Sequence, residues 1–448
     1  MIRSLWFFLF LLILIPGIAQ KKSVAPTQPA IKKTLSDSAL LDVVQKQTIK
    51  YFWDFAHPVS GMARERSNTS FDYGNEVVTT GGTGFGVMAL IAGAERKWLP
   101  RDSVAKRILK MLRFLNKADS YHGVFPHWMN GATGKTIKFS RKDDGADLVE
   151  TSYLFEGFLC AREYFKADNK IENEIRGRIT SLWNDVEWNW FTRNGQEVLY
   201  WHWSPNNGWA MNFPLHGYNE ALITYILAAS ATNYPVPASV YHKGWAMSNF
   251  FFNGKKFYGY TLPLGFDYGG PLFFSHYSFL GLDPHGLKDQ YANYWEQNQN
   301  HTLINRAYCI DNPKHFKGYG KNCWGLTASD DPNGYGAHSP TNDNGVISPT
   351  AALSSFPYTP EYSMQALKHF YDDLGNKLWG EYGFKDAFDE TKNWVAGSYL
   401  AIDEGPIVIM IENYRSGLFW KLFMNIPEIQ NGLHKLGFTS PYLKEKKD

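Results

Sequence analysis

Residues 81–96 read GGTGFGVMALIAGAER, a segment that is rich in small residues and apolar on nearly every face. A helix of this kind is stable when it is buried among other helices. Further segments of the same character begin near Asp147, Asn219, Pro271, Pro349 and Glu404. The six segments recur at intervals of roughly 55 to 75 residues, which indicates a structural repeat although their sequences hardly match.

A second kind of segment alternates with the first. Its apolar residues follow the i, i+3, i+4, i+7 spacing of an amphipathic helix. Such segments cover 37–56, 102–117, 170–187, 236–252, 288–308, 360–374 and 418–436. The alternation predicts an all-α protein in which six buried helices form a ring inside six outer helices, an (α/α)6 barrel. We expect this barrel to occupy residues 36–448 as a single domain.

Long loops precede several of the buried segments. They cover 121–146, 189–218, 253–270 and 312–348 and are rich in Gly, Asn, Trp and His. Loops of this length are usually functional or disordered, and their aromatic content argues against disorder. The inner helices of such a barrel run in the same direction, so we expect these loops to form the walls of a cleft at one end.

The N-terminus has the pattern of a secretory signal peptide. Arg3 precedes an apolar run, and Gly17 and Ala19 supply small residues at the usual cleavage spacing. We therefore expect a signal peptide at 1–19, a short polar tether at 20–35 and a periplasmic or secreted protein that is not inserted in the membrane after cleavage. An uncleaved anchor is the alternative, although the run is shorter than the roughly 20 residues that a spanning helix needs.

The composition is that of a globular protein with an excess of aromatic residues. Lys and Arg number 45 against 43 Asp and Glu, so no charge excess points to nucleic acid as a partner. Aromatic residues make up 16% of the chain, and many fall in the Gly- and Asn-rich loops. They serve either as packing residues or as stacking surfaces for a ligand with apolar faces and polar edges, such as a sugar. We expect a monomer.

The sequence gives no sign of a metal or a cofactor. The 13 His residues show no clustered metal spacing, and there is no Walker loop, GxSxG elbow or HExxH motif. Cys160, Cys309 and Cys323 are too few for a disulfide framework. Whether Cys309 and Cys323 are bonded stays open at this point.

Three of the buried segments begin with acidic residues. Asp147 and Glu150 open the second segment, Glu220 opens the third, and Asp403 and Glu404 open the sixth. Each acid has a purely structural explanation, because acids stabilise helix N-termini by about 0.5–2 kcal/mol. Together, however, they would converge on one face of the ring, as the two carboxyl groups of a glycoside hydrolase do.

Aromatic, His and Asn residues accompany these acids in the loops. Our candidates for substrate binding are His127, Trp128, His202, Trp203, Trp209, Tyr218, Asn219 and Trp324. Asn219 also has the position of a helix cap, which would leave Glu220 free to face the cleft. For each Trp, packing in the core is the alternative role.

Several long aromatic phrases in the second half of the chain resemble a known family. They include LYWHWSPNNGWAMNFPLHGYNEALITYILAAS, LPLGFDYGGPLFFSHYSFLGLDP, GKNCWGLTASDDPNGYGAHSP and IDEGPIVIMIENYRSGLFWKLF. In these phrases the chain resembles the glycoamylase-like family of secreted bacterial proteins. Within that family it is most similar to the endo-β-1,2-glucanases of glycoside hydrolase family 144, over about residues 40–440.

This resemblance implies an (α/α)6 barrel that cleaves linear or cyclic β-1,2-glucan into short sophorose-type oligosaccharides, with inversion and without a metal. The acids of the family fall at Asp147 and Glu150 in GADLVETSYL and at Glu220 in GYNEALI. Asp403 in AIDEGP matches less closely and stands as an alternative base. We expect Glu220 to be the general acid and Asp147 or Glu150 to activate water.

Other functions are kept as alternatives. One is an exo-acting enzyme that releases sophorose or glucose. Another is a glycan-binding protein without catalytic activity. A third is an enzyme for another polysaccharide, either an α-glucosidase or a lyase, although lyases usually need a more basic cleft than this charge balance suggests.

Overall fold

The computed structural model describes residues 35–67 and 75–443, so the expected signal peptide (1–19) and nearly all of the expected tether (20–35) lie outside the described residues. Helices account for most of the regular structure. In chain order they are α1 (Asp37–Trp53), α2 (Thr80–Glu95), α3 (Arg101–Leu115), α4 (Leu148–Tyr164), α5 (Lys170–Asn184), α6 (Leu222–Ser230), α7 (Tyr294–Asp311), α8 (Pro349–Leu353), α9 (Pro360–Lys368), α10 (Gly375–Leu378), α11 (Ala401–Ser416), α12 (Leu418–Met424) and α13 (Pro427–Lys435).

The strands are short and lie in the connections between helices. They are β1 (Val77–Thr79), β2 (Trp128–Asn130), β3 (Thr136–Ile137), β4 (Ala146–Asp147), β5 (His202–Trp203), β6 (Lys256–Phe257), β7 (Tyr260–Thr261), β8 (Ala328–Asp331), β9 (Gly334–Ala337), β10 (Trp379–Gly380), β11 (Gly383–Phe384), β12 (Phe388–Asp389) and β13 (Trp394–Val395). They form one three-stranded sheet, β1-β2-β3, and five antiparallel pairs within the described ranges. The prediction of an all-α fold class is confirmed.

The segment 81–96 forms most of α2, and all but the last residue of that helix are buried. Its closest neighbour is α4, and two glycines allow the approach. A Cβ on Gly84 would lie 2.1 Å from the carbonyl oxygen of Tyr153, and one on Gly157 would lie 2.1 Å from the carbonyl oxygen of Gly84. The small residues of this segment therefore permit a helix pair that larger side chains would separate.

Contacts link the buried segments in sequence. Helix α2 packs on α4, α4 packs on α6, and α6 packs on the 3₁₀ turn Tyr277–Phe279; α8 packs on α11, and α11 packs on α2. His276 and Ser355 connect the 3₁₀ turn to the end of α8, since His276 Nε2 lies 3.0 Å from Ser355 Oγ. Each buried segment thus contacts the next one along the chain, and the last contacts the first.

The segments 37–56, 102–117 and 170–187 form amphipathic helices that pack against the buried segments. Helix α1 contacts α2 and α11, and α3 and α5 contact each other. Helix α5 begins at a capping pair that its sequence encodes: Asn169 Oδ1 accepts from the backbone N of Glu172, and Asn169 Nδ2 donates to the Glu172 carboxylate. Such caps stabilise a helix by about 1 kcal/mol.

Some predicted helices are wrong in form or extent. The segment that begins at Pro271 forms two 3₁₀ turns, Leu272–Ser275 and Tyr277–Phe279, and not an α-helix, because its aromatic, Ser and His residues have weak helix propensity. Residues 236–252 contain a π-helix at Val240–Ala246. Helix α6 begins at Leu222 after Ala221 as its N-cap, so Glu220 precedes the helix and is not its first residue.

The three cysteines form no disulfide bond. Cys160, Cys309 and Cys323 are all buried free thiols, so Cys309 and Cys323 are not bonded to each other. Within residues 35–67 and 75–443, no helix combines the length and the hydropathy that crossing a membrane requires.

Candidate active site

A cavity of about 300 Å³ lies where the starts of several buried helices meet. It is lined by Glu65, Arg66, Thr79, His127, Trp128, Phe139, Glu150, Tyr153, Trp201, Glu220, Phe273, Tyr277, Ala328, Tyr335, Leu400 and Ile402. Of these, Thr79 caps α2, Glu150 is in the first turn of α4, and Leu400 caps α11. Helix N-termini carry partial positive charge, so the cavity favours anionic groups.

Asp147 supports the site from behind the cavity wall. It caps α4, because its Oδ1 accepts from the backbone N of Glu150 at 2.9 Å, and the same oxygen accepts from Trp201 Nε1 at 2.8 Å. Burial opposes ionisation of this carboxyl, but the hydrogen bond from His127 and the charges of His202 and His127 outweigh burial and lower the pKa of Asp147. Asp147 is therefore an anion that fixes its neighbours.

His127 is held by that anion. Its Nδ1 lies 2.9 Å from Asp147 Oδ2, and its ring stacks on Phe139 with centroids 4.0 Å apart. Burial alone would lower the pKa of His127, but Glu150, Asp147 and Asp143 raise it to about 9. A cationic imidazole therefore faces the cavity at neutral pH.

Glu150 is placed by the start of α2. Its Oε2 accepts a hydrogen bond from the backbone N of Gly81 at 2.7 Å. A Cβ on Gly81 would lie 2.6 Å from that oxygen, so only glycine leaves room for the carboxyl group here. Burial raises the pKa of Glu150, and Asp147 raises it further, while His127 and the N–H of Gly81 lower it.

Glu220 projects into the cavity from the residues before α6. Ser278 fixes this turn, because its hydroxyl donates to the carbonyl oxygen of Glu220 and accepts from the backbone N of Ile223 at 3.0 Å. Asn219 Oδ1 accepts from the N of Ala221 at 2.9 Å, so Asn219 and Ser278 both fix the turn that precedes α6. Burial raises the pKa of Glu220 to about 7, with contributions from Asp147 and Glu150.

A second group of acids lies on another side of the cavity. Arg66 Nε donates to the Glu65 carboxylate at 2.9 Å, and Arg66 Nη1 donates to Asp330 at 3.0 Å. Burial raises the pKa of Glu65, and the charge of Arg66 opposes the shift. Glu65 and Arg66 line the cavity, so this ion pair is available to a bound ligand.

Asp403 belongs to this second group but does not line the cavity. Its carboxyl lies against that of Asp386, and in the described part of the chain no N–H or hydroxyl group hydrogen-bonds to it. Burial and then Asp386 raise the pKa of Asp403 well above its usual value, and burial with Asp330 raises the pKa of Asp386 to about 7. Two touching buried carboxyls do not both ionise, so the pair holds a proton.

Four of the predicted binding residues lie at or near the cavity wall. His127 and Trp128 line the cavity, and Trp128 meets Phe139 edge-on with centroids 4.8 Å apart. His202 and Trp203 form β5, which pairs with β4 so that His202 lies opposite Asp147. Their place is therefore behind the cavity wall, where His202 Nδ1 is 3.3 Å from Asp143 Oδ2.

The remaining predicted residues have packing contacts. Trp209 packs against Tyr200 with centroids 5.7 Å apart. Tyr218 is 1% exposed and hydrogen-bonds to Asn298, and Trp324 is completely buried in the core. Neither Tyr218 nor Trp324 lines the cavity, and a part for either residue in substrate binding stays a prediction.

Sequence reasoning missed most of the residues that line the cavity. Four of them are Glu65 and Arg66, which follow α1 outside any named helix or strand, Phe139, which follows β3, and Tyr335, which is on the β8-β9 hairpin. These residues come from connections that are far apart in the chain, so no local sequence pattern predicts that they line the same cavity. The aromatic content of the loops was the available signal for Phe139 and Tyr335.

One cluster behind the cavity has the residue types of a metal site. Donor atoms of His127, Asp143 and Asp147 lie within 4.8 Å of one another. Two of these residues already form a charge pair, because His127 is cationic and Asp147 is anionic. That the reaction needs no metal stays a prediction.

Comparison with known proteins identifies the family. Residues 212–427 match the Glycoamylase family model, described as "Putative glucoamylase". A Bacteroides uniformis crystal structure described in the same words is 64% identical, with a TM-score of 0.90, covering 92% of this chain and 100% of that one. The chain belongs to this glycoamylase family.

Two further relatives are named as enzymes that act on β-1,2-linked glucans. An endo-β-1,2-glucanase from Chitinophaga pinensis, in complex with sophorotriose and glucose, is 58% identical with a TM-score of 0.89, covering 92% of this chain and 100% of that one. An exo β-1,2-glucooligosaccharide sophorohydrolase from Parabacteroides distasonis is 45% identical over 431 residues, which are 92% of this chain. The chain spans 59% of the length of that relative. The family resemblance seen in the sequence is confirmed.

Proposed function

We propose that this protein is an endo-acting glycoside hydrolase that cleaves β-1,2-glucan to short sophorooligosaccharides. The observation that carries the proposal is one cavity in which Glu220, with a pKa of about 7, and Glu150 both present carboxyl groups. Glycoside hydrolysis needs a carboxylic acid and a carboxylate on either side of the scissile bond. The relative from Chitinophaga pinensis, an endo-β-1,2-glucanase, supports the choice of substrate.

Glu220 is our general acid. A general acid works best when its pKa lies near the working pH, so that it is protonated before the reaction and gives up its proton readily. Burial gives Glu220 this property, because its carboxyl is enclosed by the cavity walls although the residue keeps some accessible surface. Protonation of the glycosidic oxygen would let the leaving sugar depart as a neutral alcohol.

Glu150 is our general base. It lines the cavity, and although burial raises the pKa of Glu150, the positive charges of His127 and of the α2 N-terminus oppose that rise and favour its ionised form. Asp147 is ionised but lies behind the wall, so we assign it the positioning of His127 and of the first turn of α4. Asp403 is set aside as the base, because it is protonated with Asp386 and does not line the cavity.

We propose inversion at the anomeric carbon. Glu150 and Glu220 come from different segments that face one cavity, an arrangement that leaves room for a water between the base and the sugar. Trp128, Phe139 and Trp201 are the rings that we expect to contact sugar faces, since all three line the cavity. Sugar rings bind aromatic faces through their apolar C–H surfaces.

We propose the following whole-chain organisation. The buried segments α2, α4, α6, Leu272–Phe279, α8 and α11 form the inner ring of an (α/α)6 barrel, which residues 36–448 complete as one domain. The circular order of their contacts supports this arrangement. We further propose that residues 1–19 direct export as a signal peptide and are then cleaved off. The mature chain would act as a monomer in the periplasm or outside the cell.

The proposal is tested with purified glucans of different linkage. We expect new reducing ends from β-1,2-glucan alone, with α anomers as the first product by NMR. Products of intermediate length should appear early if cleavage is internal. Failure to release reducing ends from β-1,2-glucan, with binding retained, would instead support a glycan-binding protein.

The exo mode is the second candidate, because the relative from Parabacteroides distasonis is an exo sophorohydrolase. The same time course separates the two modes. An exo enzyme releases one short product from the beginning while long chains persist, and an endo enzyme shortens all chains before short products accumulate.

A further inference from the structure

A second group of side chains with metal-binding chemistry lies outside the cavity. Donor atoms of Cys323, His369 and Glu390 all lie within 4.8 Å of one another. They come from three separate parts of the chain: the connection between α7 and β8, the π-helix His369–Asp373, and the turn between β12 and β13. None of them lines the cavity. We propose that Cys323, His369 and Glu390 form a binding site for a thiophilic divalent metal ion, with Zn²⁺ as the best match.

The choice of ion follows from the donor set. Zn²⁺ takes thiolate, imidazole and carboxylate ligands in tetrahedral geometry with bonds of about 2.0–2.3 Å. Donor atoms in such a site are about 3.3–3.8 Å apart, which follows from those bond lengths and the tetrahedral angle. The present donor atoms lie within 4.8 Å of one another, so they must approach by at most about 1.5 Å, and the partly exposed side chains of His369 and Glu390 can make that movement. A hard cation such as Ca²⁺ prefers oxygen ligands alone.

His369 has the outer partner that metal-binding histidines commonly have. Its Nδ1 lies 2.8 Å from Asp373 Oδ2, one helical turn further along the chain. A carboxylate on Nδ1 orients the ring and leaves Nε2 for the ion. The backbone at His369–Asp373 is a π-helix, a distortion that is frequent at functional sites.

Glu390 occupies a space that the chain keeps open for it. A Cβ on Gly318 would lie 2.2 Å from Glu390 Oε1, and Gly318 has a φ of +89°, in the region that favours glycine. The carboxylate therefore rests directly on the backbone of the connection that also carries Cys323. The backbone of Cys323 is fixed in turn by two hydrogen bonds with Gly320, of 3.0 and 3.3 Å.

The state of Cys323 without metal is a protonated thiol. Burial raises the pKa of Cys323 well above its usual value, and the nearby Glu390 and Cys309 raise it further. A thiol of this kind is a poor nucleophile. Metal binding would release its proton to solvent and bond the resulting thiolate and the Glu390 carboxylate to one cation.

The experiment uses the full chain with Co²⁺ as a spectroscopic probe, in the presence of a phosphine reductant that keeps the thiols reduced. We expect one equivalent of Co²⁺ to produce a thiolate-to-metal charge-transfer band in the near ultraviolet. The band should disappear in Cys323→Ser and persist in Cys309→Ser, the matched control for a neighbouring buried thiol. Cys160→Ser is the second control if Cys309→Ser does not fold.

Two further measurements test the ligand set. Asp373→Asn should weaken Co²⁺ binding by about 10- to 100-fold, as loss of an outer carboxylate does in other metal sites. Zn²⁺ should raise the Tm of the wild type and of Cys309→Ser, but not that of Cys323→Ser. Binding of Co²⁺ at His127, Asp143 and Asp147 would give no thiolate band. Absence of the band in the folded wild type, or its persistence in Cys323→Ser, would overturn the proposal.

Discussion

Glu220 can act as the general acid only while its carboxyl group is protonated. We expect Glu220→Gln to lower kcat on β-1,2-glucan by about 10²- to 10⁴-fold, the usual contribution of a general acid. The wild type should lose kcat as the pH rises through about 7, because Glu220 must be protonated and its pKa is about 7. Steady-state rates across pH measure both effects.

Glutamine has nearly the same shape as glutamate, so KM for sophorooligosaccharides serves as the control for substrate binding in this variant. It should change by less than about tenfold, since the loss concerns the transition state and not the ground state. Turnover close to that of the wild type, with the alkaline limb of the pH profile unchanged, would remove Glu220 from the role of acid.

The substitution Gly81→Ala tests whether the position of the Glu150 carboxyl group matters, without replacing any acidic residue. In Gly81→Ala the new Cβ would lie 2.6 Å from Glu150 Oε2 and 2.9 Å from Tyr153 Cδ2, so the carboxyl must move. A displacement of about 1 Å in a catalytic group can cost about 10²-fold in rate, and we expect a loss of that size in kcat.

Gly177→Ala is the matched control for Gly81→Ala. Gly177 is also within a helix, α5, but a Cβ there would meet no atom within 4 Å. We expect it to leave kcat unchanged and to raise stability slightly, because alanine is favoured over glycine in a helix by about 1 kcal/mol. If Gly81→Ala also keeps kcat within twofold of the wild type, Glu150 is not the base.

The sequence allowed prediction of the acids that open helices, and those acids are at or beside the cavity. Asp147 is the N-cap of α4, as its spacing from Glu150 predicts. The pattern could not separate Glu150, which lines the cavity, from Asp147, which lies behind it, since burial depends on β5 from a distant loop. For the same reason the Trp-rich phrases did not reveal that Trp324 is a core residue.

Among the elements, the start of α6 depends on a residue from another buried segment. Ser278 Oγ accepts from the N of Ile223 and donates to the carbonyl of Glu220. In Ser278→Ala both partners lose their hydrogen bond in a buried place, which costs about 1–3 kcal/mol of unfolding free energy. We also expect kcat to fall several-fold, because the turn that carries Glu220 loosens.

A hydroxyl on α6 itself, that of Thr224, provides the comparison. Thr224 Oγ1 is buried, and among the described residues no group hydrogen-bonds to it. Thr224→Val therefore removes no hydrogen bond and should leave stability unchanged or higher, with kcat retained. Chemical denaturation and steady-state rates on both variants measure the difference. Equal effects of the two substitutions would show that the Ser278 bonds do not hold the turn.

The ends of the helices with regular amphipathic spacing were predicted well, whereas the form of the buried segments was predicted less accurately. Helices α3 and α5 have clear apolar stripes and were found within two or three residues of the predicted ends. The segment after Pro271 is apolar enough to be buried, but composition alone does not distinguish an α-helix from two 3₁₀ turns. Side-chain contacts settle that choice, such as Ser275 Oγ to His301 Nδ1 at 2.8 Å.

For the whole molecule, the buried carboxyl pair makes stability depend on pH. The folded pKa of Asp386 is about 7, above its usual 3.8, so the folded state binds the proton more tightly than the unfolded state does. The stabilisation is complete below about pH 3.8 and is lost as the pH rises through about 7. A shift of this size corresponds to about 4 kcal/mol, or on the order of 4 °C in Tm for a chain of this length.

Asp386→Asn should remove this dependence. The amide resembles the protonated acid, and its oxygen can still accept from the N of Asp330, so the Tm of the variant should exceed that of the wild type only slightly near about pH 5 and by more near about pH 8. Glu220 and His127 also lose protons as the pH rises, but they are present in both proteins and cancel in the difference. Thermal unfolding at both pH values provides the measurement. A wild type that loses no more Tm than the variant would mean that Asp386 and Asp403 do not share a proton in the folded chain.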